Sequence, residues 1–577
     1  MHSFNRAESE KGLNKSYSKL SIGNRNAFPW WPYMIKVNIT EEFKPLFDPR
    51  SVAVIGATNN WNKWGYSTFS STLDGFGGRV YPVNNKREDV LGHKSFKRVM
   101  DIPDEVDLAA FVVPAPIVPE VMEDCVQKGV KAAVIISAGF AETGEEGRKL
   151  QDEVLSIARK GGIRFVGPNC MGFWSASSRL KAFMFPLQIR SGPIAFVTQG
   201  GNLGGAIVMS AFERDVGFHR YISCGCTADI PIEDYIEHFG QDPEVKVILT
   251  YIEGLTDGRR FIEKVKKVTQ KKPVIALKPG KSEITAKAIK SHSGALSGSN
   301  EIYEEAFKKA GVIRVETPEE FLDVAIGFLT QPLPRGRNVA ITTPGGSYGV
   351  LCADDCSSGG LNVITLSKEI IGELDKMFPP RWSHGNPVDP AGDRNLVAYL
   401  KAPEILLKLD DVDSLIFMGF GGFSGFGGSM GSMIQSLGIT PEDVPRLDIH
   451  SFISLISPLL SAGDSKGEEE FKNLITSVIE SGEMDTSFLD DTSSLFTPNG
   501  EIKDLTKIFR ILDLFLGALV LYWIKTYKKP VIATTFTDSG SHLNLKGGFY
   551  CAYPSPHRAS RVLIKLVEYE EYLERIK

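Results

Sequence analysis

Cysteine is scarce in this sequence. Seven cysteines are spread over 577 residues, and seven is an odd number. Cys224 and Cys226 form a C-x-C pair, and Cys352 and Cys356 lie four positions apart, but neither pair has further thiols or histidines at zinc-site spacing. We therefore expect no disulfide framework and no metal bound by this chain, and we place the protein in the reducing cytoplasm.

An excess of positive charge is also missing. The 65 Lys and Arg residues are balanced by 70 Asp and Glu residues, which gives a net charge of −5. A protein that binds nucleic acid through phosphate contacts is usually far more basic, so we expect no nucleic-acid partner.

Long hydrophobic runs are missing as well. The most apolar stretch, Leu514–Ile524, is about half as long as a membrane span and fits a buried helix better. The first 33 residues are polar and lack the apolar core of a secretory signal. The sequence therefore predicts no membrane association.

One pattern occurs three times along the chain. An apolar run ends in a glycine-containing turn and leads into a helical stretch at Ser51–Gly56, Pro193–Thr198 and Asn338–Thr343. This order is typical of the start of a βαβ unit, and continuous apolar strands indicate a buried parallel sheet. The three starts lie about one domain length apart. We predict an α/β protein with three doubly wound parallel-sheet domains in series.

Domain boundaries follow from this spacing. We predict a flexible tail over residues 1–45, because this part is polar and shows no sustained period. The domains are then expected at 46–185, 186–332 and 333–577. The third is predicted to contain an insertion at about 420–503, whose role the sequence does not indicate.

Four loops of the first domain are predicted to meet at one sheet edge. The loop Gly56–Gly65 and the segments Tyr81–Lys86, Pro114–Pro116 and Gly167–Gly172 each follow a predicted strand. Ligands of α/β sheets bind at the carboxyl ends of the strands, so we expect a ligand crevice there. Gly56–Gly65 lacks the G-x-G-x-x-G spacing of dinucleotide sites, which argues against a nicotinamide-dependent dehydrogenase.

The most informative segment is Lys278–Asn300. It is small and polar, contains several cations, and carries the single histidine His292 between Ser and Gly neighbours. A neutral imidazole can attack a phosphorus centre, and a carboxylate on its other nitrogen would hold the tautomer. Glu253, at the end of the strand Val247–Ile252, can supply that carboxylate. The alternatives are a structural or solvent-exposed histidine and a loop carboxylate in water.

The order of four motifs makes the sequence similar to a known family. They are Gly167-Pro-Asn-Cys170, Tyr251-Ile-Glu-Gly254, Ser291-His-Ser-Gly-Ala-Leu-Ser-Gly298 and Asn386-Pro-Val-Asp389. Together they resemble the α subunit of ADP-forming (NDP-forming) acyl-CoA synthetases, which are relatives of succinyl-CoA synthetase. The similarity spans roughly residues 45–420 and 503–577. It implies a Rossmann-like CoA-binding domain followed by two flavodoxin-like ligase domains.

The resemblance also implies roles for individual residues. His292 would carry a phosphoryl group and Glu253 would stabilise the phosphohistidine. The residues expected to bind CoA are Gly56, Ala57, Thr58, Gly65, Asn84, Lys86, Pro114 and Asn169. The residues expected to bind phosphate at a helix N-terminus are Gly200, Gly201 and Asn202.

Three positions depart from the family pattern. Gly200 stands where serine is usual, which removes a hydroxyl donor that a backbone amide would have to replace. Cys226 stands where asparagine is usual, and Asn85 where proline is usual. The Gly200 departure slightly favours a second candidate function, a non-catalytic CoA-binding regulatory subunit, whereas the intact His292 segment argues against it.

No ATP-grasp portion is recognisable in the sequence. The resemblance therefore implies that ATP or ADP, with Mg²⁺, binds a separate ATP-grasp β subunit, in an α2β2 heterotetramer. The expected reaction is reversible: acyl-CoA, ADP and phosphate give a small carboxylic acid, CoA and ATP.

Overall fold

The computed structural model describes residues 39–280, 300–393, 396–419, 505–535, 540–545 and 548–577. Three large, mostly parallel sheets follow one another along the chain, as the fold prediction requires. The predicted insertion, most of the predicted tail and His292 lie outside the described residues.

The first sheet is entirely parallel, with the strand order β2-β1-β5-β6-β7. Every residue of β1 is buried, as expected for a strand covered on both faces. The strands of this region, including a small two-stranded ladder β3–β4, are β1 Ser51–Ile55, β2 Arg79–Val83, β3 Asp89–Val90, β4 His93–Lys94, β5 Leu108–Phe111, β6 Ala132–Ile135 and β7 Arg164–Val166. The helices are α1 Ile39–Phe47, α2 Trp64–Leu73, α3 Val118–Lys128 and α4 Glu145–Lys160.

The second sheet has the order β14-β13-β12-β10-β11-β8-β9. Its strands are β8 Gly172–Ser175, β9 Leu180–Phe183, β10 Ile194–Thr198, β11 Phe218–Ser223, β12 Val247–Tyr251, β13 Val274–Leu277 and β14 Ile313–Val315. The helices are α5 Gly201–Glu213, α6 Ile232–Gln241, α7 Gly258–Thr269, α8 Asn300–Ala310 and α9 Pro318–Thr330. The hairpin β8–β9 joins the edge antiparallel, through pairs such as Arg220 with Ser175.

The third sheet has the order β16-β15-β17-β18-β20-β19, with β19 antiparallel to β20. Its strands are β15 Asn338–Thr342, β16 Asn362–Val363, β17 Ser414–Phe417, β18 Val531–Thr534, β19 Ser541–Leu545 and β20 Gly548–Tyr553. The helices are α10 Gly346–Ser358, α11 Lys368–Leu374, α12 Leu396–Leu407, α13 Leu505–Tyr527 and α14 Pro556–Ile576. The apolar stretch noted above lies in α13, where Leu519 and Trp523 are fully buried.

Part of the predicted tail is wrong. Residues 39–45 belong to α1, and the buried side chains Phe43, Leu46 and Phe47 lie on one face of this helix. The ring of Phe43 contacts Tyr235 of α6 at a centroid distance of 5.7 Å. A nine-residue helix that contains a proline leaves too short a periodic pattern to stand out in the sequence.

The three sheets share their hydrophobic cores. Val54 of the first sheet and Val197 of the second belong to one cluster, and Phe196 shares another with Ile416 of the third. The hairpin 172–183 follows the last strand of the first sheet but pairs with the second. The domain boundaries stay predictions. No helix of the described residues is both long and apolar enough to cross a lipid bilayer.

Candidate functional site

Two glycines shape the first predicted CoA loop. Gly56 has φ +93°, and a Cβ there would lie 2.3 Å from the Val112 carbonyl oxygen. A Cβ on Gly65 would lie 2.0 Å from the Gly56 carbonyl oxygen, so α2 packs directly against the end of β1. Only glycine permits this close approach. The following residues Ala57 and Thr58 are buried.

Asn84 connects the ends of β1 and β2. Its Nδ2 donates to the Ala57 carbonyl oxygen at 2.7 Å, and its Oδ1 accepts from the Lys86 amide at 2.9 Å. The side chain of Asn84 therefore orders the two loops, while Lys86 is left as an exposed cation at their edge.

Ser137 joins the remaining two loops. Its Oγ accepts from the Val113 amide at 3.3 Å, next to the exposed Pro114, and its carbonyl oxygen accepts from the Asn169 amide at 2.9 Å. Asn169 has φ +54°, a conformation that asparagine tolerates better than most residues. The structure thus brings the four predicted loops to one edge.

This edge continues into the second sheet. The Pro168 carbonyl oxygen accepts from the Cys226 amide at 3.0 Å, and a Cβ on Gly225 would lie 2.3 Å from the carbonyl oxygens of both Pro168 and Asn169. The Cys226 Sγ lies 3.6 Å from Glu142 Oε2. Burial, and then the Glu142 charge, raise the pKa of Cys226 to about 12, so this thiol remains protonated at neutral pH.

Cys170, the last residue of the first family motif, is buried. Its Sγ donates to the Ile135 carbonyl oxygen at 3.3 Å, and burial raises its pKa to about 12. A thiol in this state is a poor nucleophile.

The predicted phosphate residues lie where β10 meets α5. Helix α5 begins at Gly201, and the amides of its first turn have no partners within the helix. The amide of Gly200 is already used, because it donates to Thr198 Oγ1 at 3.1 Å. Among the described residues, the amides of Gly201 and Asn202 at the start of α5 are therefore the next candidates to replace the serine hydroxyl.

Gln199 binds the backbone of Glu253 and Gly254 and so positions Glu253 beside the start of α5. Its Oε1 accepts from the amides of Glu253 and Gly254 at 2.6 and 3.0 Å, and its Nε2 donates to the Gly254 carbonyl oxygen at 3.0 Å. Glu253 is only 4% exposed, which excludes the alternative of a loop carboxylate in water. A Cβ on Gly200 would lie 3.6 Å from Glu253 Oε1. The carboxylate and the first turn of α5 are thus neighbours.

Sequence reasoning missed the roles of Thr198, Gln199 and Lys278. Thr198 and Gln199 have a usable signal, because they stand between a buried strand and a pair of glycines. In the sequence, Lys278 stands out only as the first residue of the segment that contains His292. Its burial at the end of β13 becomes apparent only once the sheet is assembled.

Comparisons with known proteins agree with this geometry. Residues 50–175 match the family model described as "CoA binding domain", and residues 191–328 match "Succinyl-CoA ligase like flavodoxin domain". Together with the three sheets and the loops that meet between the first two, these matches define an acyl-CoA ligase chain of the α/β class.

Two relatives identify the family within this class. The chain is 46% identical to the acetate–CoA ligase [ADP-forming] II subunit alpha of Pyrococcus furiosus, over 64% of this chain and 81% of the relative. It is 41% identical to the acetate–CoA ligase [ADP-forming] of Methanocaldococcus jannaschii, over 61% of this chain but only 49% of the relative. The chain belongs to the α-subunit family of ADP-forming acyl-CoA synthetases, which are acid–thiol ligases.

A solved structure supports the same assignment. The dinucleotide forming acetyl-coenzyme A synthetase 1 of Ca. Korarchaeum cryptofilum, in complex with phosphate and ADP, superposes with a TM-score of 0.66. It is 27% identical, and the match covers 92% of this chain and 98% of that one.

Proposed function

We propose that this chain is the CoA-binding, phosphohistidine-carrying α subunit of an ADP-forming acyl-CoA synthetase. The observation that carries the proposal is the buried Glu253, whose backbone amide donates to Gln199 and whose carboxylate lies beside the start of α5. A buried acceptor next to the N-terminal amides of a helix suits a phosphorylated imidazole, which presents an N–H on one side and an anion on the other.

The residues of the first domain fit CoA. The glycine cradle at Gly56 lets a ligand approach the backbone, and Lys86 offers an exposed cation to the coenzyme phosphates. Gly65 and Asn84 hold the shape of the loop, while Pro114 and Asn169 border it. When bound, CoA supplies the thiol that forms and releases the thioester.

The proposed chemistry conserves the thioester energy in three transfers, of which this chain carries out the first two. Phosphate attacks the acyl carbonyl carbon, the C–S bond breaks, and the sulfur takes a proton as free CoA leaves. An imidazole nitrogen of His292 then attacks the phosphorus of the acyl phosphate, and the carboxylic acid leaves with the bridging oxygen. Glu253 accepts the N–H of the other ring nitrogen, and the amides of Gly201 and Asn202 stabilise the phosphate anion.

The third transfer requires a partner. ADP, bound with Mg²⁺ to a separate ATP-grasp β subunit, would take the phosphoryl group from His292, and the assembly would be an α2β2 heterotetramer. The Pyrococcus furiosus relative is named as a "subunit alpha", which supports a partner for this chain. The acyl group is a small carboxylic acid in this proposal, by analogy with the acetate named for both relatives.

Phosphoenzyme labelling tests the proposal. The chain, purified with its partner subunit and incubated with ATP radiolabelled on the γ-phosphate, should acquire an acid-labile label. His292→Ala should abolish both the label and turnover, whereas the control His557→Ala, at an exposed histidine, should change neither. A His292→Ala protein that still carries the label and turns over would contradict the assignment.

The Glu253→Gln variant tests the role of the carboxylate separately from CoA binding. We expect a lower phosphoenzyme yield with unchanged CoA binding, because the amide keeps the volume but removes the charge that faces the imidazolium-like ring. An unchanged yield would remove Glu253 from the mechanism.

The regulatory alternative makes the opposite prediction for labelling. A non-catalytic CoA-binding subunit would bind CoA but acquire no acid-labile phosphate. The specific observation in its favour is that the Gly200 amide is already bonded to Thr198.

A further inference from the structure

Lys278 and Glu253 leave the second sheet at adjoining strand ends. β12 and β13 are parallel, with Tyr251 opposite Leu277, and the Ile252 amide donates to the Leu277 carbonyl oxygen at 3.2 Å. Lys278 follows directly after β13, and Glu253 comes two residues after β12. The backbone therefore brings both residues to the same edge.

The Lys278 side chain is buried, and its ammonium contacts a carbonyl oxygen and an aromatic ring. It is 5% exposed, and its Nζ donates to the Pro279 carbonyl oxygen at 2.6 Å. The ammonium also lies 4.4 Å from the centroid of the Tyr303 ring, and Tyr303 Oη accepts from the Leu255 amide at 3.0 Å. Tyr303 therefore connects the lysine to the loop that carries Glu253.

A buried lysine is costly unless an opposite charge compensates it. Glu253 is the nearby acid whose charge acts on Lys278, whereas the Arg314 guanidinium of β14 acts against it. Arg314 is itself paired with Glu304 at 2.6 Å and bonded to Asn300 Oδ1 at 2.7 Å. Among the described residues, the Tyr303 ring also lies against the ammonium. The carboxylate of Glu253 thus has a cationic neighbour.

We propose that Lys278 is a positioning residue for the phosphoryl site, whose ammonium compensates the buried charge of Glu253 and so keeps the carboxylate as an acceptor for the histidine N–H. The inference rests on the proposed function, because it gives Lys278 a role through Glu253. Removing the ammonium would take a compensating charge away from the neighbourhood of a buried carboxylate, which raises the cost of keeping that carboxylate charged.

The pH dependence has a definite sign. Burial and Arg314 lower the pKa of Lys278 to about 8, although Glu253 raises it. The ammonium is therefore lost as the pH rises through about 8, and phosphoenzyme yield should fall over that range. An arginine at this position stays charged, so Lys278→Arg should retain its yield to higher pH.

Three variants test the inference. Lys278→Met should lower phosphoenzyme yield and kcat by roughly 10- to 100-fold, as for other groups that orient a functional residue, with CoA affinity unchanged. Lys278→Arg should restore most of the yield and remove the loss above pH 8. The control is Lys272→Met, at the opposite end of β13, where Nζ donates to the carbonyl oxygens of Phe239 and Asp242 and the pKa is also lowered by burial.

The outcomes are distinct. Wild-type yield in Lys278→Met, or a loss above pH 8 that persists in Lys278→Arg, would overturn the inference. If Lys278→Met fails to fold, the pH profile of the folded Lys278→Arg protein still decides. Absence of label in the wild-type complex would instead overturn the proposed function itself.

Discussion

Gly200 has no space for a side chain. A Cβ at this position would lie 2.7 Å from Cε1 and 3.2 Å from Cδ1 of the Tyr251 ring. The backbone of Gly200 has φ −91° and ψ 107°, which any residue can adopt, so space alone restricts the position. A serine here would require the Tyr251 ring to move. Tyr251 is the last residue of β12, the strand that precedes Glu253.

The first prediction at the residue scale is therefore that Gly200→Ala lowers the free energy of unfolding by about 1–3 kcal/mol. The cost should be smaller in a Tyr251→Leu background, because the ring that meets the new methyl group is gone. Urea denaturation of both single variants and the double variant measures this coupling. Strictly additive effects would show that Tyr251 does not restrict the position.

Gly205 provides the matched control within α5. Nothing lies within 4 Å of a Cβ built on Gly205. Gly205→Ala should therefore be neutral, or stabilise the helix by up to about 1 kcal/mol.

Residue types and strand ends made much of the candidate site predictable. Glu253 and Gly56 each follow a run of buried apolar residues, which marks the carboxyl edge of a sheet. The partners of Asn84 and Gln199 were not predictable, because each side chain bonds a loop distant in sequence. The hydrogen bond between the Gly200 amide and the Thr198 hydroxyl was not predictable either, because it depends on how the loop after β10 folds.

Helix α1 is held on the second domain by a histidine. His238 of α6 stacks on Phe47 with ring centroids 5.1 Å apart and contacts Phe43 at 5.3 Å. It is 6% exposed, and neither ring nitrogen has a hydrogen-bond partner in the described part of the chain. Burial, and then the Arg220 charge, lower the pKa of His238 to about 4, although Asp242 acts in the opposite direction.

At the scale of this element, we predict that α1 docking weakens in acid. The pKa of His238 is lower in the folded chain than its ordinary 6.5, so the neutral ring is the form that the fold favours. The associated stability is complete above about pH 6.5 and is lost as the pH falls through about 4. The loss amounts to about 3 kcal/mol at most.

Denaturation at neutral pH and at about pH 4.5 measures this loss. His238→Leu should show a smaller decrease, because it cannot take up the proton, while the exposed control His557→Leu should match the wild type. An identical acid dependence of the His238→Leu protein and the wild type would contradict the prediction.

The parallel strands were predictable at this scale, whereas the hairpins were not. β1, β10 and β15 are continuous apolar runs before glycine turns, which indicates buried strands whatever their neighbours. The hairpin β8–β9 pairs at a sheet edge that is formed by later residues of the chain. Its pairing depends on that edge, so local sequence carries no signal for it.

Across the whole molecule, Asp323 links the second and third sheets. This carboxylate of α9 accepts from Arg558 Nε and Nη2 of α14 at 2.5 and 2.6 Å, and from Arg214 Nη1 at 2.8 Å. Asp323 is fully buried, and Tyr569 of the same closing helix donates to the Thr269 carbonyl oxygen at 2.8 Å. Helix α14 thus fastens the third domain to the second.

We therefore predict that Asp323→Ala destabilises the two domains together. Two partly buried guanidinium groups would lose their counterion, at a cost of about 3–5 kcal/mol. Calorimetry should show one transition at lower temperature for both domains, whereas the control Asp354→Ala, at an exposed acid of α10, should leave it unchanged. An unchanged transition temperature in the Asp323→Ala protein would contradict the prediction.

The serial arrangement of three sheets followed from three repeated sequence patterns. How the sheets share their cores did not, because contacts such as Asp323 with Arg558 join residues 235 positions apart. Packing of this kind depends on side-chain shape and charge in three dimensions, which periodicity does not encode.

The chain segment that connects the first two sheets is short, and this limits which substrates the protein can come to accept. Only residues 167–171 separate β7 of one sheet from β8 of the other, and β8 is locked by its pairing with β11. The position of the predicted CoA loops relative to α5, and hence the gap between them, therefore depends on this strand pairing. Under the proposed function, the site can accept a bulkier acid only through smaller side chains along that gap. Widening the gap would instead break the pairing of β8 with β11.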